Sequence, residues 1–176
     1  MYFQIQAQDS TIQWQKIFGD PGGVCFLKSA IPTLDSGYII GGYGNGSGIP
    51  FGGYGGYDIF AQKYDKFGNP IWSKICYGGH KNDTLGEIIP TVDKGAIIVG
   101  STSSANNGKS DYDVSYNHGN YDVWIVKVDS NGKIEWDKSY GSSKNDYGSS
   151  ICSTYDGGYV IAGYSDGSDS NLTKNK

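Results

Sequence analysis

Arginine is missing from this sequence altogether, and all 14 basic residues are lysine. Forked clamps on phosphate and bidentate reading of base edges rely on the guanidinium group. Tracking a phosphate backbone also needs a basic stripe. With 18 acidic residues and a formal charge of −4, the chain offers neither, so nucleic acid is not expected as a partner. Cysteine is scarce too. Cys25, Cys76 and Cys152 follow no metal-ligand spacing, and an odd count cannot pair fully. They read as small apolar residues, with one disulfide plus a spare thiol as the alternative. The two histidines, His80 and His118, stand in polar segments and read as solvated loop residues rather than a metal pair. No apolar run is long enough to span a membrane as a helix, and no stretch has useful helical periodicity. There is no G-x-S-x-G, no His-Glu-x-x-His, and no cysteine with a recurring histidine partner, so no catalytic set stands out. The glycine-rich stretch 41–56, GGYGNGSGIPFGGYGG, fails the G-x-G-x-x-G spacing and opens no helix. It therefore reads as a loop and not as a phosphate cradle.

What the chain does have is tyrosine (15), tryptophan (4) and glycine (28), arranged in a repeat. The segment 121–165 is its clearest copy. Tyr121 to Val128 is apolar on both faces, with Trp124, Val126 and Val128 on one and Val123 and Ile125 on the other. Such a strand wants cover on both sides. Asp129-Ser130-Asn131-Gly132 is a turn in which Asn-Gly supplies positive φ. Ile134 to Tyr140, Gly148 to Thr154 and Tyr159 to Tyr164 complete four short strands. Earlier in the chain Tyr57-Asp58-Ile59-Phe60 matches Tyr121-Asp122-Val123-Trp124, and Trp72-Ser73-Lys74 matches Trp136-Asp137-Lys138. A first copy has Trp14-Gln15-Lys16 and Thr33-Leu34-Asp35-Ser36-Gly37. The unit has the length of one propeller blade, about 40–50 residues. The expected fold is all-β: three four-stranded antiparallel blade-like repeats forming a partial β-propeller, with a β-prism as the alternative. A single repeat domain, 1–176, would hold repeat one at 1–50, repeat two at 56–101, an inter-blade loop at 102–120, repeat three at 121–165 and a C-terminal loop at 166–176.

Asp58 and Asp122 recur at one strand start, and Lys16, Lys74 and Lys138 follow each tryptophan. Recurrence in every copy argues for a structural duty, such as a hydrogen bond that fixes each blade. In 101–120 the oxygen-bearing residues Asp111, Asp113, Ser115 and Asn117 alternate, and Asp169, Asn171, Thr173 and Asn175 repeat the spacing. Such a set suits a hard cation, so calcium is the candidate cofactor. The pattern lacks the glycine and closing glutamate of a helix-loop-helix site, and a solvated loop with Asx turns is the competing reading. Residues 1–8, MYFQIQAQ, alternate as a strand does. They also resemble the end of a truncated signal peptide. Asn45, Asn82 and Asn171 each begin a glycosylation sequon.

The repeat text W-x-K-x-x-G, then T-x-D-x-G-Y-I-I-x-G, then Y-D-I/V-W-I-V-K-x-D-x-x-G-x-I-x-W, resembles β-propeller repeats of secreted proteins from Bacteroidota. The segment before Tyr121 is similar to a recurrent inter-blade loop of that group. The resemblance implies a secreted or cell-surface protein on the outer-membrane side, and no defined activity. Three copies are too few for a ring of four to eight blades. Completion is expected from the remainder of a longer chain or from self-association, two chains giving six blades. The leading functional expectation is a non-enzymatic binding or scaffold module for a glycan or a protein. Tyr43, Phe51, Tyr54, Tyr112 and Tyr116 are the stacking candidates. One competing reading is a glycan-acting hydrolase or lyase with carboxylates at the axis. The other is a structural repeat segment of a larger adhesin.

Overall fold

The structure is a computed structural model, and it describes residues 3–4, 14–18, 23–46, 53–73, 76–105 and 113–167. Those residues form strands, turns and loops, with no α-helix among them. The strands are β1 (Phe3–Gln4), β2 (Ile17–Phe18), β3 (Val24–Pro32), β4 (Tyr38–Asn45), β5 (Asp58–Tyr64), β6 (Cys76–Tyr77), β7 (Asp83–Pro90), β8 (Ala96–Thr102), β9 (Asp122–Val128), β10 (Ile134–Tyr140), β11 (Asp146–Ser153) and β12 (Tyr159–Ser165). Every ladder between them is antiparallel. Two four-stranded sheets, β3-β4-β5-β6 and β7-β8-β9-β10, lie between two-stranded pieces, β1-β2 and β11-β12.

The stacking follows from strands that are apolar on both faces. Along β9, Trp124, Val126 and Val128 enter the core between the two full sheets, beside Ile59, Ala61, Trp72, Tyr77 and Ile98. Val123 and Ile125 of the same strand face the opposite core, with Ile97, Val99 and Ile151. In β4 the adjacent Ile39 and Ile40 divide in the same way, Ile39 toward the second sheet and Ile40 toward Phe18 of β2. Each central strand thus feeds two cores, because side chains alternate across the pleat. The Asn-Gly turn also forms as the sequence predicts, with Gly132 at φ +80°.

Two expectations need correction. The sheets are not three of four strands, but two of four strands flanked by two of two. The segment 121–165 does not make one sheet either: β9 and β10 complete the sheet begun by β7 and β8, while β11 and β12 belong to the next. A repeat reads the same wherever its first residue is placed, so the text alone does not say where a sheet begins. Pairing decides it. β8 and β9 match from Ala96↔Val128 to Thr102↔Asp122 across a long loop, as β4 and β5 match from Tyr38↔Tyr64 to Gly44↔Asp58. The long variable segments therefore join neighbours within a sheet. The short steps 78–82 and 141–145 carry the chain from one sheet to the next. No ladder joins β12 to β1 among the described residues.

Candidate functional site

The registers Gly44↔Asp58, Asp83↔Thr102, Thr102↔Asp122 and Asp146↔Ser165 bring the starts of β5, β7, β9 and β11 to one end of the stack. The long loops 46–57 and 103–121 and the steps 78–82 and 141–145 all emerge there. The tight turns after β3, β5, β7, β9 and β11 occupy the other end.

At the long-loop end the two steps between sheets share one construction. Asp83 N donates to Tyr57 O at 2.6 Å, and Asp146 N donates to Tyr121 O at 2.6 Å. Asp58 Oδ2 accepts from Tyr54 N at 2.8 Å, as Asp122 Oδ2 accepts from His118 N at 2.6 Å. The carboxylate at each strand start thus ties down the loop that leads into it. Asp83 Oδ2 accepts from Gly79 N, and Asp146 Oδ2 from Ser142 N. Between each pair of acids lies a glycine with no room for a side chain. A methyl at Gly78 would collide with Asp58 Oδ1 and lie 2.6 Å from Asp83 Oδ2. One at Gly141 would collide with Asp122 Oδ1 and lie 2.9 Å from Asp146 Oδ2. All four acids are buried, and among the described residues Oδ1 of Asp58, Asp122 and Asp146 has no hydrogen-bond partner.

Burial sets the electrostatics of the first step. It pushes the Asp58 carboxyl up to about 7 against the hydrogen bond from Tyr54, with the neighbouring charges of Asp83 and Asp113 adding to the rise. Asp83 is raised to about 6 by the same desolvation, in spite of hydrogen bonds from Thr102, Gly79 and Ser104. The recurring aspartates therefore do fix loop to sheet in each copy. Of the post-tryptophan lysines, Lys74 lies outside the described residues, Lys16 lies over the Tyr64 ring at 5.7 Å, and Lys138 is exposed.

The aromatic candidates that can be placed, Tyr43, Tyr54 and Tyr116, are all at this end. Tyr43 packs with Phe26 and Tyr57 at centroid distances of 5.1 and 6.0 Å. Tyr116 is exposed and meets the His118 ring edge-on at 4.6 Å. Phe51, Tyr112, Asp111, Asp169, Asn171, Thr173 and Asn175 lie outside the described residues, as does most of 1–8. The remaining calcium candidates have separate partners. Asp113 Oδ2 accepts from Gly78 N, Ser115 bonds to Asp137, and Asn117 Nδ2 donates to Thr102 O. Among the described residues, no three or more His, Cys, Asp or Glu side chains are arranged to hold a metal ion.

The opposite end holds contacts that the sequence reading missed. Lys63 and Lys127, each five residues after the recurring aspartate, are buried. Lys63 Nζ donates to Asp35 Oδ2 and Lys94 O, both at 2.8 Å. Lys127 Nζ donates to Asp93 Oδ2 at 2.6 Å and Val128 O at 2.8 Å, and pairs with Glu135 Oε2 at 2.9 Å. Burial works against ionisation of Asp93, but bonds from Lys127, Thr91 and Gly95 outweigh it and hold the carboxyl at about 2. The signal was present in the text: Lys five after Tyr-Asp, and Asp in each T-x-D turn.

Between the second full sheet and the β11–β12 hairpin runs a groove of about 900 Å³, lined by Val123, Ile125, Trp136, Tyr140, Ile151 and Ile161 among others. The corresponding face of the first full sheet is covered. Trp72 and Tyr77 are 4% and 0% exposed, whereas Trp136 and Tyr140 are each 39% exposed.

No family model matches the chain, and no curated protein is similar to it.

Proposed function

We propose that this chain is a run of β-propeller-type blades acting as a non-enzymatic binding or scaffold module, with a glycan or another protein met at the long-loop end. The observation that carries the reading is the repeated anchoring of that end. Both long loops emerge beside buried aspartates that bind their backbone, so variable loops stand on a rigid β scaffold, where recognition is commonly built. Tyr116, exposed on such a loop, is the first stacking candidate. A catalytic reading needs carboxylates that substrate can reach. The acids paired across Gly78 and Gly141 are enclosed and committed to backbone amides, which favours binding over hydrolysis. The resemblance of the repeat supports a place for this module outside the cell or on its outer surface.

A glycan array probed with the 176-residue chain, with and without EDTA, tests the reading. Binding that Tyr116→Ala weakens supports it, and loss on chelation adds calcium to the site. Turnover of a model glycoside without retained binding overturns it.

A further inference from the structure

We infer that the groove between β9–β10 and β11–β12 is a docking surface for one further β-hairpin of the Y-D-x-W type that this chain itself carries at 121–140. The inference rests on the blade reading above. It adds the partner, the register and the contacts.

The chain shows what such a groove receives. On the equivalent face of the first full sheet, the occupant is the β9–β10 hairpin. Its Trp124, Val126 and Val128 fill the core. Its turn accepts two hydrogen bonds, from Trp72 Nε1 to Ser130 O at 3.1 Å and from Tyr77 OH to Gly132 O at 2.8 Å. Its Lys127 joins the Asp93 turn of its own sheet. Each group that holds that hairpin has a counterpart at the groove. Trp136 and Tyr140 stand where Trp72 and Tyr77 stand, with nothing over them comparable to the turn that covers the earlier pair. Asp156 stands where Asp93 stands. Its Oδ1 accepts from Thr154 Oγ1 and Gly158 N, as Asp93 Oδ1 accepts from Thr91 Oγ1 and Gly95 N. The strand edge matches as well. β4 and β8 each pair on both sides, whereas among the described residues β12 pairs only with β11, and a two-stranded piece gains stability by adding strands.

A second copy of the chain is the other occupant to weigh, since β1–β2 forms the complementary half of a sheet. Phe3↔Phe18 corresponds to Ile59↔Tyr77 and Val123↔Tyr140. Four residues after Val123 comes Lys127, but four after Phe3 comes Ala7. A second copy therefore brings no ammonium group to Asp156, and the hairpin of the full repeat does.

The test is a synthetic peptide of residues 121–140 titrated into the 176-residue chain, read by amide hydrogen exchange. Docking protects amides of 159–165, and a scrambled peptide does not. Trp124→Ala in the peptide weakens binding at least about thirtyfold, as an aromatic anchor does. Lys127→Ala in the peptide and Asp156→Asn in the chain each weaken it roughly fivefold, as a partly exposed ion pair does. Combining those two changes adds no further loss. Unprotected amides at saturating peptide, or equal protection by the scrambled one, overturn the docking surface. Indifference to both Lys127→Ala and Asp156→Asn overturns the register. A dimer seen by light scattering that the peptide fails to dissociate assigns the groove to a second copy and overturns the choice of partner. Glycan binding at the loops is scored separately, so failure here and failure of the functional reading are distinct results.

Discussion

The two ends of the sheet stack use the same residue for opposite purposes. At the long-loop end, burial pushes the carboxyls of Asp58 and Asp83 up to about 7 and about 6, and the charge of Asp113 adds to both. At the tight-turn end, Asp35 is held below its ordinary range by the Lys63 ammonium group and the Thr33 hydroxyl, and Asp93 falls to about 2. Asp35 and Asp93 at the turn end have donors arranged around an ionised carboxylate, and a lysine closes the charge of each. Each aspartate at the loop end has backbone amides on one oxygen, and among the described residues Asp58, Asp122 and Asp146 have no hydrogen-bond partner on the other. One end is therefore built for the charged form, and the other carries charge at a cost. The lesson is that recurrence of an acid shows that a position matters, but its neighbours decide whether its ionisation helps or hurts the fold.

The strongest way to break the loop end is to fill its glycines. Gly78→Ala puts a methyl into the space between Asp58 and Asp83, and Gly141→Ala does the same between Asp122 and Asp146. Neither acid can retreat without releasing a loop amide. Each change is expected to cost about 3 kcal/mol or more, at the upper range of overpacking, measured as a lower urea midpoint. Gly157→Ala is the control at the turn end. A Cβ there meets nothing within 4 Å, so only its φ of +84° matters, and the expected loss is about 1 kcal/mol. Equal losses at the three sites would remove the distinction between the ends.

The pH dependence sharpens the comparison next. Asp58 and Asp83 bind protons more tightly folded than unfolded, so their contribution is complete below about pH 4 and is lost as pH rises through 6 and 7. Asp93 is depressed, so its contribution is present above about pH 4 and is lost as pH falls toward 2. Stability should therefore peak near pH 4–5 and fall toward pH 7.5. Asp58→Asn keeps an acceptor for Tyr54 N and should flatten most of that fall in urea titrations run at several pH values. Stability that rises from pH 5 to 7.5 would contradict the cost assigned to the buried pair.

The alternation in 121–128 was legible because it depends only on the pleat, and it assigned each side chain of β9 to the core it occupies. The Asn131-Gly132 turn and the anchoring role of Asp58 and Asp122 were legible for similar local reasons. The division into sheets was not. It rests on β8 pairing with β9 across 103–121, a contact between residues distant in sequence, and a cyclic repeat hides its own starting point. The spaced oxygens of 111–117 are a partial case, since Asp111 lies outside the described residues. Alternation puts them on one side of an extended chain only if the chain stays extended, whereas Asp113, Ser115 and Asn117 turn to Gly78, Asp137 and Thr102. The Lys63 and Lys127 contacts were written in the spacing, but a lysine within an apolar strand looks like an exposed edge residue until the T-x-D turn of the neighbouring strands is seen to lie over it.

The smallest effect isolates what the lysine adds. Asp93 and Asp156 sit in turns of the same design, each bonded to a threonine hydroxyl two residues before and a glycine amide two residues after. Only Asp93 has an ammonium group, at 2.6 Å. Asp156→Ala should therefore cost only the turn, less than the loss at Asp93. Asp93→Ala should cost the turn and part of the ion pair, about 1–1.5 kcal/mol. The loss stays modest because Asp93 is about half exposed, with a side chain 47% accessible, and because Lys127 keeps Glu135 and the Val128 carbonyl. The difference between the two losses, read in paired urea melts, is the worth of the lysine. If the two losses are equal, the threonine and glycine donors alone stabilise the ionised turn. Lys127 would then be in the strand for packing and not for charge.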